Sequence, residues 1–160
     1  GRDDLTQPHR SNGQLANYLA DVGVELFSVS QSGMRDELLA NQKYFRNQAF
    51  RQYLEFLQNS GYLPVMQELS LTMTGLSESP AVLVSKGVFE GAYHWIYNVP
   101  ITVILGGKRT IPESRLPRPE VITLRIQIGR HADGPEPNFV LIHDFQVGDR
   151  DQSLTTEEGN

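Results

Sequence analysis

Four histidines, His9, His94, His131 and His143, are the side chains here that could ligate a transition metal or pass a proton near neutral pH. A metal site needs three or four ligands that converge, and ligands carried on one element announce themselves by short, regular spacing. These four follow no such spacing, so neither a metal nor a cofactor is expected. His143 falls on the apolar face of the last expected strand, in step with Leu141 and Phe145, which reads as a hydrogen-bonded core histidine. His94 directly precedes Trp95, so the two project from opposite faces of their strand.

Other chemistries find equally little support. Gly106-Gly107-Lys108-Arg109-Thr110 follows a strand-like run, as a phosphate-cradling loop would. However, Arg109 stands where that loop needs a serine or threonine, and Thr102 stands where it needs its first glycine. Ser85 and Ser114 lie in no Gly-x-Ser-x-Gly elbow. Asp36 and Glu37 suit a helix start, while Glu113 and Glu120 lie in or beside a loop. The expected protein is therefore not an enzyme. The alternative is a small cavity enzyme or ligand-binding module, which would carry an acid of perturbed pKa in a deep pocket.

A formal net charge of −5 argues against nucleic-acid binding, which needs a dominant basic face. Lys108, Arg109, Arg115 and Arg118 cluster in one segment that reads as solvated loop. The absence of cysteine excludes disulfides and thiolate metal sites.

The elements that would position any site are legible from periodicity. With 160 residues, 39% hydrophobic and 21% charged, the chain suits one domain with a real core. Residues 1–13 read as a flexible linker, 14–148 as a single α+β domain and 149–160 as a disordered acidic tail. Leu15, Tyr18, Leu19, Val22 and Leu26 share one face of a helix, and Ser11 with Gln14 can form a capping box at its start. Asp36 and Glu37 favour the first turn of a short second helix. Asn47 would cap a third, with Phe50, Tyr53, Leu54 and Leu57 on one face, stopped by Gly61 and Pro64.

Beyond Pro64 the period falls toward two, and five strand-like runs follow: Leu69 to Met73, Ala81 to Phe89, Ala92 to Leu105, Ile122 to Ile128 and Phe139 to Val147. Helices followed by strands without βαβ alternation predict helices packed on an antiparallel sheet. No run of 18 apolar residues is present, so nothing here should span a bilayer as a helix. The opening Gly1-Arg2-Asp3-Asp4 reads as the start of a fragment.

One stretch concentrates the exceptions. Gly87 and Gly91 lack a Cβ and permit a bulge, bend or close backbone approach, with Val88-Phe89-Glu90 as a kink between them. Tyr93, Trp95 and Tyr97 share a face that should meet the helices. Pro100 cannot donate to a ladder, so its strand should be an edge there or carry a bulge.

The string Gly87 to Trp95 followed by Val99-Pro100-Ile101-Thr102-Val103 resembles the DotI/IcmL/TraM family of type IVB secretion and conjugation systems, in particular its conjugative IncI-plasmid branch. Its signature positions are Gly87, Gly91, Tyr93, Trp95 and Pro100. The likeness extends from Tyr44-Phe45 through Gly61-Tyr62-Leu63 to Val121–Ile128 and Val147. It implies helices on a strongly curved antiparallel sheet, the fold of nuclear transport factor two. It also implies a periplasmic domain of a bacterial inner-membrane protein, tethered by a transmembrane helix that this sequence lacks. The implied role is structural: assembly of the inner-membrane complex that transfers plasmid DNA, through contacts with itself and other inner-membrane secretion subunits and not with nucleic acid. A cytosolic dimerisation domain is a further alternative.

Overall fold

The computed structural model describes residues 11–107, 111–131 and 140–148. His9, Lys108, Arg109, Phe139, most of the expected linker and the acidic tail lie outside the described residues.

Helix α1 spans Asn12–Leu26 and buries Leu15, Leu19, Val22 and Leu26, the expected face. Its capping box closes as the residue types require: the Gln14 amide donates to Ser11 Oγ at 3.1 Å, and the Ser11 amide donates to Gln14 Oε1 at 2.9 Å. Helix α2, Met34–Ala40, carries Asp36 and Glu37 in its first turn. Glu37 reaches back to accept from the Ser30 amide at 2.8 Å and the Ser30 hydroxyl at 2.5 Å.

Helix α3 runs Asn47–Asn59 and buries Ala49, Phe50, Tyr53 and Leu57. Its cap is Arg46, one residue earlier than expected, because the Arg46 amide donates to the Ile142 carbonyl at 2.9 Å and holds that residue extended. Gly61 then adopts φ 93°, a conformation glycine supplies without strain, and the chain re-enters helix as α4, Tyr62–Leu69. Pro64 was expected to end helical structure. It occupies instead the first turn of α4, where its missing N–H has no intrahelical partner to lose.

Five strands form one antiparallel sheet: β1 Thr72–Leu76, β2 Val82–Phe89, β3 Ala92–Gly106, β4 Glu120–Arg130 and β5 Val140–Val147. The 15-residue β3 is its axis. On one flank it pairs with β4 from His94 opposite Gly129 to Val103 opposite Glu120. On the other it pairs first with β2, up to Asn98 opposite Val82, and then with β1, from Thr102 opposite Leu76. Pro100 falls in the interval between β2 and β1, so β3 is an edge there on that flank, as a residue without an N–H requires.

The glycine expectation is half corrected. Glu90 and Gly91 have φ 51° and 80° and make a two-residue β2–β3 hairpin turn of the type that matches strand twist. Val88 and Phe89 are not a kink but strand residues, opposite Tyr93 and Ala92. Gly87 sits in regular register opposite His94, and the irregularity of β2 lies between Leu83 and Ser85 instead.

The core lies between the helices and one sheet face. Trp95, Tyr97, Val99, Ile101 and Val103 of β3 are buried there with Ile122, Leu124, Ile126 and Ile128 of β4. An aromatic group of Phe27, Phe45, Phe50, Tyr53 and Phe145 joins α1 and α3 to β5. Two sheet edges are partly covered. Val29 and Met73 exchange backbone hydrogen bonds beside β1, and Phe45 bridges to Ile142 beside β5. Further along β5, the Gln52 side chain accepts from the Phe145 amide at 3.0 Å.

Candidate functional site

Strand parity places every second residue of β3 and β4 on the sheet face away from the helices, and at one end of that face the ladder assembles a histidine cluster. His94 lies directly across from Gly129. A Cβ on Gly129 would meet His94 Cε1 and Nε2 at 2.8 Å and His143 Nε2 at 2.9 Å, so the missing side chain is what lets both imidazoles lie over the strand. The rings of His94 and His143 meet edge to face with centroids 4.6 Å apart. His131, just beyond β4, brings its Nε2 to 2.9 Å from His143 Nε2. The Gln127 amide nitrogen lies 3.0 Å from His94 Nδ1, and Phe89 packs its ring on His94 at 5.5 Å.

His143 reaches this cluster through a bulge. Gln127 is opposite Asp144 while the next residue, Ile128, is opposite Ile142, so His143 is an extra residue in β5. The insertion lets Ile142 and Phe145 both face the core, although strict alternation would separate them. The expectation that His143 shares the apolar face with Leu141 and Phe145 is therefore corrected: His143 and Leu141 lie on the open face and Phe145 on the core face. His94 and Trp95 do project oppositely, with Trp95 fully buried.

Burial lowers the pKa of both buried imidazoles. For His94, desolvation is the largest cause, followed by His131; Glu90 opposes it and Arg46 adds to it. His143 is pushed down to about 4 by desolvation first, then by His94, His131 and Arg46. Near neutral pH these two rings are uncharged.

Beside the cluster lies a groove of about 770 Å³ between the start of α3, with Arg46 and Arg51, and the hairpin tip, with Phe89 and Glu90. His143 and Asp144 line it as well, and Asp144 is engaged by Gln52 at 2.9 Å and Gln146 at 3.3 Å. A shallower depression of about 300 Å³ adjoins it over Gly87, Phe89, His94 and Ile96. A Cβ on Gly87 would project into open space there. Among the described residues no group of three histidine, aspartate or glutamate side chains is placed to hold a metal ion. Ser85, a sequence candidate for a nucleophile, lines the depression on exposed β2; Ser114 is exposed in the loop before β4. Glu120 is buried beneath Tyr62, whose hydroxyl donates to its Oε1 at 2.5 Å. That carboxylate belongs to the core and not to either groove.

The signature residues divide by role. Tyr93 packs against Trp95 with centroids 4.9 Å apart and ring planes tilted by 58°, anchoring the hairpin on the helix side; Gly91 makes its turn; Pro100 marks the interval between β2 and β1. Gly87 keeps the depression open. β2 itself exposes Val82 at 57%, Val88 at 57% and Phe89 at 53%, with Val82 and Phe89 on the open face and Val88 on the other. Among the described residues no helix is long and apolar enough to cross a membrane.

The described residues thus form a helix-backed antiparallel sheet whose open face carries two histidines, His94 and His143, that are uncharged near neutral pH. The profile of the DotI/IcmL family, an inner-membrane complex component of the type IVb secretion system, matches residues 3–145, and this chain belongs to that family. Its fold is similar to the periplasmic domain of DotI, with TM-score 0.74 and 22% identity over 87% of this chain and 96% of that one. It is also similar to a periplasmic fragment of TraM, with TM-score 0.75 and 19% identity over 86% and 96%. An IcmL-like type IV secretion protein from Legionella pneumophila gives TM-score 0.68 and 14% identity over 87% and 93%. No curated protein sequence matches the chain.

Proposed function

We propose that this chain is the periplasmic part of a non-enzymatic subunit that assembles the inner-membrane complex of a conjugative type IVB secretion system. The carrying observation is the family profile across residues 3–145, whose members are inner-membrane complex components. The periplasmic location and conjugative role are supported by fold likeness to the periplasmic pieces of DotI and TraM. A transmembrane helix upstream of Gly1 would tether the domain. Its partners are further copies of itself and other inner-membrane secretion subunits, met through apolar surface such as Val82 and Val88 on β2. Neither nucleic acid nor a cofactor is required.

The test is made in the donor cell. Removing the domain while keeping the membrane anchor is expected to abolish plasmid transfer and to release the neighbouring subunits from the complex recovered with the anchored protein. Undiminished transfer would overturn the proposal.

A further inference from the structure

We infer that His94, His131 and His143 form an acid-sensitive latch that holds the tip of the β2–β3 hairpin against β4 and β5 when uncharged and loosens it when protonated. The argument begins with hydrogen-bond arithmetic. Two imidazole nitrogens 2.9 Å apart share one proton, so the contact between His131 and His143 exists only while one ring presents a lone pair. If both rings carry a proton on each nitrogen, N–H faces N–H and the contact breaks. The Gln127 amide nitrogen likewise needs a lone pair on His94 Nδ1. Gln127 can turn its amide to follow protonation, whereas the two-histidine contact has no such adjustment.

The position of the cluster turns a local contact into a mechanical one. The β3–β4 ladder ends at His94 opposite Gly129, so Ala92, Tyr93 and the Glu90-Gly91 turn extend past β4, paired only with β2. His94 is thus the last rung before the overhang, and Phe89 from the overhang packs on its ring. On the open face the hairpin tip is held to β5 through His94 and His143. Gly129 leaves no side chain to hold them apart.

The charged surroundings favour release on protonation. Arg46 precedes α3 and opposes positive charge on both His94 and His143; Arg51 of α3 lines the adjoining groove and Lys86 of β2 the depression over His94. Of the acids, Glu90 in the turn attracts a charged His94, and Asp144 is taken up by Gln52 and Gln146. Among the described residues, two cationic rings and an arginine therefore meet one exposed carboxylate. Repulsion pushes His94 away from His143, and the overhang moves with it.

Amide hydrogen exchange on the 160-residue chain tests this directly. Between about pH 7.5 and about pH 5, after correction for intrinsic exchange, protection in the last β3–β4 rungs, His94 to Ile96 opposite Gln127 to Gly129, is expected to fall by about tenfold or more, while Leu124 and Ile126 keep theirs. His143→Gln should shrink that fall to less than about threefold. Should that variant fail to fold, His131→Gln, at the strand end, removes the shared proton and should shrink the fall as well. A side-chain nitrogen titration of the native protein supplies an independent reading, with His143 expected to stay neutral at about pH 5.5, below the ordinary histidine value of about 6.5. Unchanged protection in those rungs, equal loss throughout the sheet, or ordinary titration of both His94 and His143 would each overturn the latch.

Discussion

Gly129 and His94 face each other across the β3–β4 ladder so closely that one added carbon on Gly129 would lie 2.8 Å from the imidazole. The same carbon would lie 2.9 Å from His143. Both rings are confined, His94 by Phe89 and Gln127 and His143 by His131, so neither can yield freely. Gly129→Ala is therefore expected to destabilise the fold by about 1–3 kcal/mol, the usual cost of overpacking, read by denaturant titration. An unchanged midpoint would show that the rings repack without cost.

Stability should fall with acid in a defined window. His143 has a folded pKa lowered to about 4 against about 6.5 when unfolded, so below about 6.5 the unfolded chain binds a proton that the folded one resists. The contribution is complete above about pH 6.5 and is lost progressively as pH drops toward about 4. Melting temperature measured across this range should decline more steeply in the native protein than in His143→Gln. Parallel declines would remove His143 as the cause.

Tyr53 ties three elements together from the middle of the aromatic group. Its hydroxyl donates to the Leu26 carbonyl at 2.6 Å and accepts from Asn41 Nδ2 at 3.1 Å, all of them buried. Tyr53→Phe leaves the carbonyl and the amide without that partner and should cost about 1–3 kcal/mol in thermal or chemical unfolding.

The amino end of α1 is closed by an exposed capping box. Ser11→Ala removes the hydroxyl that the Gln14 amide uses, with an expected loss of about 0.5–2 kcal/mol. Exchange of the Gln14 amide should accelerate in the same variant while the Leu124 amide is unaffected.

Exposed valines offer the opposite signature. Val82→Ser with Val88→Ser alters residues that are each 57% exposed, so stability should change by no more than about 0.5 kcal/mol per site. Plasmid transfer in the donor cell should nevertheless fall if β2 carries partner contacts. Full transfer by a folded double variant would remove β2 from the proposed interface.

Much of this architecture could be read from local pattern. The apolar face of α1, its capping box, the alternation from Ile122 to Ile128 and the inward face of Tyr97 and Trp95 all follow from periods of 3.6 and 2. Three features escaped for particular reasons. α4 was hidden because Gly61 and Pro64 carry the letters of a helix stop, and only the positive φ at Gly61 shows that the chain restarts. His143 was assigned to the wrong face because one inserted residue reverses strand parity, and bulges leave no regular mark in composition. The cluster itself was invisible because its members lie on different strands; the available clue was Gly129, a glycine inside the most regular strand of the chain.

The partly covered borders of the sheet bear on how the domain can assemble. Val29 partly covers β1, Phe45 and Gln52 partly cover β5, and among the described residues no backbone hydrogen bond reaches β2 from outside the β3 ladder. Among the described residues β2 is thus the margin at which a neighbouring strand could most readily be added. Edge-to-edge pairing through β2 would join two copies, so a larger ring would have to draw on other surfaces as well.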